Sequence, residues 1–257
     1  MSTETAHLAL LLDAPLQSWG FASKFQRRTT GLHPTKSGVI GLICAAMGLA
    51  KGSAEERQKL PELRNLLMLV IVLPRPKRWI RLPQIGERAH WLETRRLEDY
   101  HTVGGGYDLE AQPQCVPRTA SGEPDKDATL SRREYLLDAR FGVILSGPFD
   151  LLEEVAGALL NPVWGVWLGR KSCIPANAVL AGGPCQSEED AWKAVSRATG
   201  LPPAARIESF ERVVEVAAAS EAQFTIMDQP ISFGDGHSSG PDVRHFAIRY
   251  ARREQGV

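Results

Sequence analysis

The chain has 257 residues, of which 43% are hydrophobic and 23% charged, a balance that excludes a disordered or fibrous protein. That length fits one elaborated domain or a domain with a small appendage, large enough to bury most of its apolar surface without staples. Thirty basic residues balance thirty acidic ones, so the formal net charge is zero.

The four cysteines, Cys44, Cys115, Cys173 and Cys185, form no C-x-x-C pair and have no His at zinc-ligand spacing. This predicts neither a disulfide framework nor a structural metal, and no cofactor motif is present. Reduced thiols fit a cytoplasmic compartment. The start, Met1 to His7, is acidic, and the apolar run Leu8 to Leu12 is too short for a signal peptide or a membrane span, so no membrane partner is expected.

Taken in chain order, His7 to Asp13 reads as a buried strand ended by Pro15. Ala14 to Pro34 follows as a long connection carrying Trp19, Phe21, Lys24, Phe25, Arg27 and Arg28, too aromatic to be disordered. Thr35 or Ser37 caps a helix whose apolar face is Val39, Ile40, Leu42, Ile43, Ala46 and Met47, ended by Gly48 or Gly52. A charged helix over Ala54 to Asn65 is expected to break near Pro61. Leu66 to Leu73 is the strongest strand, and a basic strand over Lys77 to Leu82 is expected to pair with it.

From Pro83 to Arg133 the core periodicity fails while Gly and Pro accumulate, with Gly104 to Gly106 as a tip. A protruding insertion, a hairpin in form, is predicted there. Tyr135 to Ser146 reads as one strand, Asp150 to Leu160 as a helix and Val163 to Leu168 as a further strand. Without the insertion the order is strand, helix, strand, strand, helix, strand, the split βαβ or ferredoxin-like order. The predicted fold is therefore α+β: a ferredoxin-like domain over 1–185 with an insertion at about 83–133. Residues 186–257 form a small C-terminal subdomain with an acidic helix (Ser187 to Ala198), an alternating strand (Phe210 to Val216), a Gly-rich loop (Gly234 to Gly240) and a final strand (Arg244 to Tyr250).

Charge is segregated despite the neutral total. Lys24 to Lys36 holds four Lys/Arg and no acid, Arg75 to Arg81 four more, and Arg244 to Arg253 another four. Segregation of this kind makes a local positive field within a neutral molecule. The segment Gly31 to Ser37 fails as a P-loop because the second Gly is absent, yet Lys36 and Ser37 at a helix N-terminus are placed to hold one phosphate, an ordinary cap being the competing reading. Aromatic residues interleaved with Lys24, Arg27 and Arg28 are the combination single-stranded RNA requires, since rings stack on bases and cations hold phosphates. Tyr100 and His101, with Lys171, compose an alternative set: His or Tyr takes a 2′-OH proton and Lys stabilises the phosphorane, against the plainer reading of stacking and hydrogen bonding without chemistry.

Several motifs in order carry a family resemblance: Leu10 to Gly20, Lys24 to Thr30, Pro34 to Leu42, Asp99 to Val103, Leu130 to Arg140 and Leu168 to Cys173. Together they resemble the CRISPR-associated CasD family in its type I-E branch. The resemblance implies a RAMP-type (RRM-like) protein with a thumb-like insertion. It implies a non-catalytic subunit of Cascade that grips the 5′ handle of the crRNA, contacts the backbone subunit CasC and the large subunit CasA, and meets target DNA only through the complex. A sister branch, type I-C, cleaves precursor crRNA itself without metal, which keeps Tyr100, His101 and Lys171 as the catalytic alternative. The expected RNA-binding residues are Trp19, Lys24, Arg27, Arg28, Lys36, Ser37, Tyr100, His101, Arg132, Arg133, Arg170, Lys171 and Ser172, with Trp19 and Tyr100 serving bases or packing.

Overall fold

The apolar run Leu8 to Leu12 has no polar position because its strand is covered on both faces. In the computed structural model, which describes residues 5–20, 26–76, 91–92, 95–105, 122–123, 128–202, 204–233 and 245–253, this run lies in β1 (Thr5–Asp13). Leu8, Leu10 and Leu12 point into one core with Met68, Val70, Phe141, Val143 and Leu145. Ala9 and Leu11 point into a second core with Leu69, Ile71 and Ile144. Side chains alternate across a strand, so a sheet buried on both faces needs apolar residues at every position.

That sheet has seven strands. β1 is flanked by β9 (Arg140–Pro148) and β10 (Leu180–Cys185), and β9 pairs in turn with β4 (Leu67–Val72). Beyond β4 come β11 (Arg212–Glu215), β13 (His245–Arg253) and β12 (Phe224–Pro230). The order is β10-β1-β9-β4-β11-β13-β12, and every neighbouring pair is antiparallel. Three helices cover the first face: α1 (Lys36–Ala46), α2 (Ala54–Arg64) and α3 (Phe149–Leu160), through Ile40, Ile43, Leu60, Leu63, Leu152 and Val155 among others. A fourth, α4 (Glu188–Thr199), covers the second face with Ala191, Trp192 and Val195. Residues after 185 thus supply α4 to the second face and three strands to the far side of the same sheet.

A second, four-stranded sheet stands beside the first. It contains β2 (Leu16–Gln17), β3 (Arg27–Arg28), β7 (Arg95–Val103) and β8 (Thr129–Leu137), with β8 between β2 and β3 and also paired to β7. β7 and β8 run antiparallel in nine-residue register from Arg95↔Leu137 to Val103↔Thr129. A short pair, β5 (Arg75–Pro76) with β6 (Trp91–Leu92), completes the strands among the described residues.

Several expectations need correction. Tyr135 to Ser146 is two strands in two sheets, because Asp138 takes a positive φ of 51° and turns the chain between β8 and β9. Asp138 N–H donates to the Pro15 carbonyl, which fixes that turn. Val163 to Leu168 is not a strand: residues 161–179 are irregular, and β10 fills the last position of the split βαβ order. Pro61 does not break α2, since its missing N–H costs only the bond to the carbonyl of the exposed Arg57. Phe224–Pro230 is a strand the sequence analysis did not anticipate. The basic strand over Lys77 to Leu82, the Gly-rich loop Gly234 to Gly240 and most of the insertion lie outside the described residues.

The central strand β9 bears on both cores, so its apolar residues set the stability of the whole sheet. Phe141→Ala, at a fully buried position, is expected to cost about 3–5 kcal/mol. Leu67→Ala, 61% exposed on β4, is expected to stay within about 0.5 kcal/mol of the parent. Urea unfolding of both variants at unchanged m-value checks this.

Candidate nucleic-acid interface

Charge concentrates on the second sheet. β3, β7 and β8 together carry six arginines (Arg27, Arg28, Arg95, Arg96, Arg132, Arg133) against three carboxylates (Glu98, Asp99, Glu134). The register explains how residues distant in sequence meet. Arg27 lies beside Arg132 in the parallel β3–β8 pair, and Arg132 lies opposite Tyr100 in the β7–β8 pair. Residues in register share a face, so Arg27, Arg132 and Tyr100 form one row. Tyr100 is 64% exposed, and the side chains of Arg27 and Arg132 are 71% and 66% exposed.

Carboxylates on this face hold the guanidiniums loosely. Glu134 is 3.8 Å from Arg27 and 3.9 Å from Arg96, and Glu98 is 3.5 Å from Arg132. Long ion pairs between exposed groups contribute little to stability, so these arginines are free to exchange their carboxylates for phosphates. On the opposite face lies the row Arg28, Arg133 and Asp99. There His101 Nδ1 is 3.7 Å from Asp99, and Arg133 Nε donates to Ser131 Oγ at 3.1 Å.

Arg170 holds the two strands of this surface together. Its guanidinium lies 4.8 Å from the centre of the Tyr135 ring and donates to the carbonyls of Glu134 (3.3 Å) and Arg28 (2.9 Å). Its role is therefore to position β3 against β8. The tight approach behind it depends on Gly169, at φ +100°, where a Cβ would fall 1.8 Å from the Ser18 carbonyl oxygen. Lys171 and Ser172 follow in an exposed turn. Lys171 lines a groove against α1, and among the described residues no hydrogen bond or ion pair joins it to Tyr100 or His101.

Two of the expected contacts lie in the interior, and a third, Ser37, is half-buried at the N-terminus of α1. Trp19 is 1% exposed; its indole donates to Gln17 Oε1 and its ring packs against Gly38. Lys36 is 2% exposed, with Nζ 2.8 Å from Glu215. The anion at the N-terminus of α1 is the chain's own Asp228, standing where the sequence places a phosphate. Asp228 accepts from the backbone N–H groups of Lys36 (2.6 Å) and Ser37 (3.0 Å), from Ser37 Oγ (2.6 Å) and from the Tyr250 hydroxyl (2.9 Å). Burial pushes the Glu215 carboxyl up, opposed by Lys36, and burial together with Asp228 pushes the Tyr250 hydroxyl up. Lys24, Phe21 and Phe25 lie outside the described residues.

Sequence reasoning did not single out Asp228, Glu215 or Tyr250 for this cluster. It also passed over the groove beside α1, whose signal was two tryptophans, Trp164 and Trp167, in a run that mimicked a strand. Among the described residues no group of His, Cys, Asp or Glu is arranged to hold a metal ion, and no helix is long and apolar enough to cross a membrane.

An exposed arginine-rich sheet set beside an antiparallel sheet with helices on both faces defines a class of protein, and comparison with known proteins places the chain within it. The sequence profile of the family described as CRISPR-associated protein (Cas_Cas5) matches residues 7–252, and the chain belongs to that family. It is 28% identical over 187 residues to the CRISPR system Cascade subunit CasD of Escherichia coli (strain K12), spanning 72% of this chain and 73% of the relative. A chain of a solved structure titled "CRISPR RNA-guided surveillance complex" superimposes with a TM-score of 0.66 at 28% identity, covering 96% of this chain and 89% of that one. Another, titled "Crystal structure of Cas protein", shares the fold with a TM-score of 0.55 at 24% identity over 97% and 95% of the two chains.

The interior position of Lys36 has a measurable consequence. Lys36→Met or Glu215→Gln alone leaves an unpaired polar or charged group buried, an expected loss of about 3–5 kcal/mol for a broken buried pair. The double variant Lys36→Met/Glu215→Gln is expected to recover most of that loss. A double-mutant cycle in urea, with RNA affinity measured on the double variant, separates this structural role from a phosphate contact.

Proposed function

We propose that the chain is a non-catalytic, RNA-binding subunit of a Cascade-type CRISPR surveillance complex, acting in the cytoplasm in antiviral defence and capping the 5′ handle of the crRNA. The observation that carries the reading is the row of Arg27, Arg132 and Tyr100 on one exposed face. Two guanidiniums and a phenol ring lie side by side there with only long-range carboxylate partners. Such a row holds phosphates and stacks an unpaired base. Its likeness to a Cascade subunit and to a chain of a surveillance complex supports the same reading. The partners then are the crRNA handle, the backbone subunit CasC and the large subunit CasA, with target DNA met indirectly.

The fold reading that accompanies it is a ferredoxin-like RAMP domain over 1–185. The strand order β10-β1-β9-β4, with helices joining β1 to β4 and β9 to β10, supports it. The β7–β8 hairpin is the base of a thumb within about 83–133. Residues 186–257 form a C-terminal addition that shares the main sheet.

A metal-independent endoribonuclease would need Tyr100 or His101 and Lys171 to converge on one phosphate. Lys171 instead lines the groove beside α1, which favours the non-catalytic reading. Incubated with precursor repeat RNA without metal, the purified chain is expected to leave the RNA intact, and specific cleavage lost in His101→Ala would overturn the reading. Replacing Arg27 and Arg132 together with Ala is expected to lower the magnitude of the log-affinity against log-salt slope by about 1.4, at roughly 0.7 per phosphate contact on a single strand.

A further inference from the structure

Glu98 stands inside the arginine row of the second sheet. It is two residues from Tyr100 on β7, so both side chains leave the same face. Arg132 lies opposite Tyr100 and Glu134 opposite Glu98, and Glu98 reaches diagonally to Arg132 at 3.5 Å. Phenol ring, guanidinium and carboxylate are thus next neighbours on the surface read as RNA-binding.

The two carboxylates of this face are held differently. The Glu134 side chain is only 13% exposed and stands among three donors, the Thr30 N–H at 3.4 Å, Arg27 at 3.8 Å and Arg96 at 3.9 Å. Glu98 is 47% exposed, and its one ion-pair partner among the described residues is Arg132. A phosphate that captures Arg132 therefore takes the partner of Glu98 and leaves that carboxylate facing the RNA. Phosphate oxygens cannot answer it, because they and the carboxylate only accept hydrogen bonds. The donors of single-stranded RNA are the ribose 2′-OH, alike on every nucleotide, and the N–H groups on the Watson–Crick edges of the bases. Adenine, cytosine and guanine carry an amino group on that edge. Guanine sets a ring N–H beside its amino group, a pair that matches the two oxygens of one carboxylate. Uracil offers a single N–H between two carbonyl oxygens, which a carboxylate repels. Glu98 lies about 7 Å along the strand from Tyr100, so a base stacked on the phenol ring brings its edge to the carboxylate.

We infer that Glu98 is a specificity-determining residue of the RNA surface: with one base stacked on Tyr100 and the adjoining phosphate on Arg132, its carboxylate accepts from the amino edge of that base and selects guanine over uracil. The inference rests on the reading of the chain as an RNA-binding subunit and adds base choice to a row that otherwise holds backbone and ring alone.

The test is the affinity of the full chain, by fluorescence polarisation, for a labelled uridine dodecamer and for the same RNA with one central guanosine or inosine. The guanosine RNA is expected to bind roughly 5- to 150-fold tighter than the uridine RNA, the range for a bidentate contact to one base. Inosine, which lacks the amino group, is expected to lose most of that gain. Glu98→Gln is expected to abolish the preference without weakening uridine binding, because an amide also donates to the carbonyl oxygens of uracil. Glu98→Ala is expected to abolish it too. Circular dichroism checks folding, and should the alanine variant unfold, the glutamine variant decides. A preference that survives in Glu98→Gln overturns the proposal, as does equal weakening of every RNA with the preference kept, which would make Glu98 a support for Arg132 alone. Equal affinity of the parent chain for all three RNAs overturns the base choice and leaves the RNA reading standing. No binding by the parent chain overturns both. An unchanged preference in Glu98→Gln combined with lost assembly onto a partner subunit would assign the carboxylate to a cation of that partner and overturn the proposal.

Discussion

A single buried carboxylate, that of Asp228, joins the two ends of the chain. It accepts two backbone N–H groups at the start of α1, the Ser37 hydroxyl and the Tyr250 hydroxyl. The first N–H groups of a helix lack intrahelical partners and carry partial positive charge. Asp228 answers both needs from a strand 192 residues away in sequence. Around it, Lys36 reaches Glu215, and Glu215 accepts the Met68 N–H at 3.1 Å. Strands β4, β11, β12 and β13 are therefore bound through polar contacts to the helix that floors the groove. An interior with two carboxylates and one ammonium would be costly by itself; the helix N-terminus and the Tyr250 hydroxyl supply the remaining positive character.

From α1 the constraint passes outward through close contacts. Gly38 leaves room for the Trp19 ring, since a Cβ there would lie 2.9 Å from it. The Trp19 backbone accepts from Gly31 and donates to Thr30 Oγ1, and Ser18 N–H donates to the Leu168 carbonyl. Trp19 thus works as a spacer between α1 and the residues that follow β3. Because Arg27 and Arg28 stand just before Thr30 and Gly31, their position follows from the packing of a residue that the sequence offered as a base-stacking candidate. The arginine row is built on an interior indole.

What the sequence made legible, and what it hid, divides along this line. α1 was readable because Thr35 caps it, accepting from Gly38 N–H at 3.3 Å, and because its apolar face has helical spacing. β1 and β4 were readable because burial on both faces demands unbroken apolar runs. The insertion was readable as a hairpin, but its strands β7 and β8 were not placed, since β7 is solvated along most of its described length and imposes no alternation. The segment 163–168 misled in the opposite direction, its Val163, Trp164 and Trp167 forming an exposed surface rather than a strand while Leu168 enters the core. Lys36 misled for a third reason: its burial depends on Glu215, 179 residues away, and local sequence carries no trace of that partner. The basic runs were visible individually, but only the register of β8 brings Arg27 and Arg132 into one row with Tyr100.

The neutral total charge is compatible with an RNA surface because screening makes electrostatics local. At physiological ionic strength a charge acts over about 8 Å, so an acid matters only within that reach. On the helices the chain neutralises itself: Lys59 pairs with Glu62 and Glu154, and Lys193 with Glu189 and Asp190. In the core, Lys36 is spent on Glu215. Cations left with distant partners or none, Arg27, Arg132, Lys51 and Lys171, sit on the second sheet and in the adjoining groove. Pairing inside the fold and on the helices removes competing fields elsewhere, so the unneutralised positive charge is concentrated on the second sheet and in the groove beside α1.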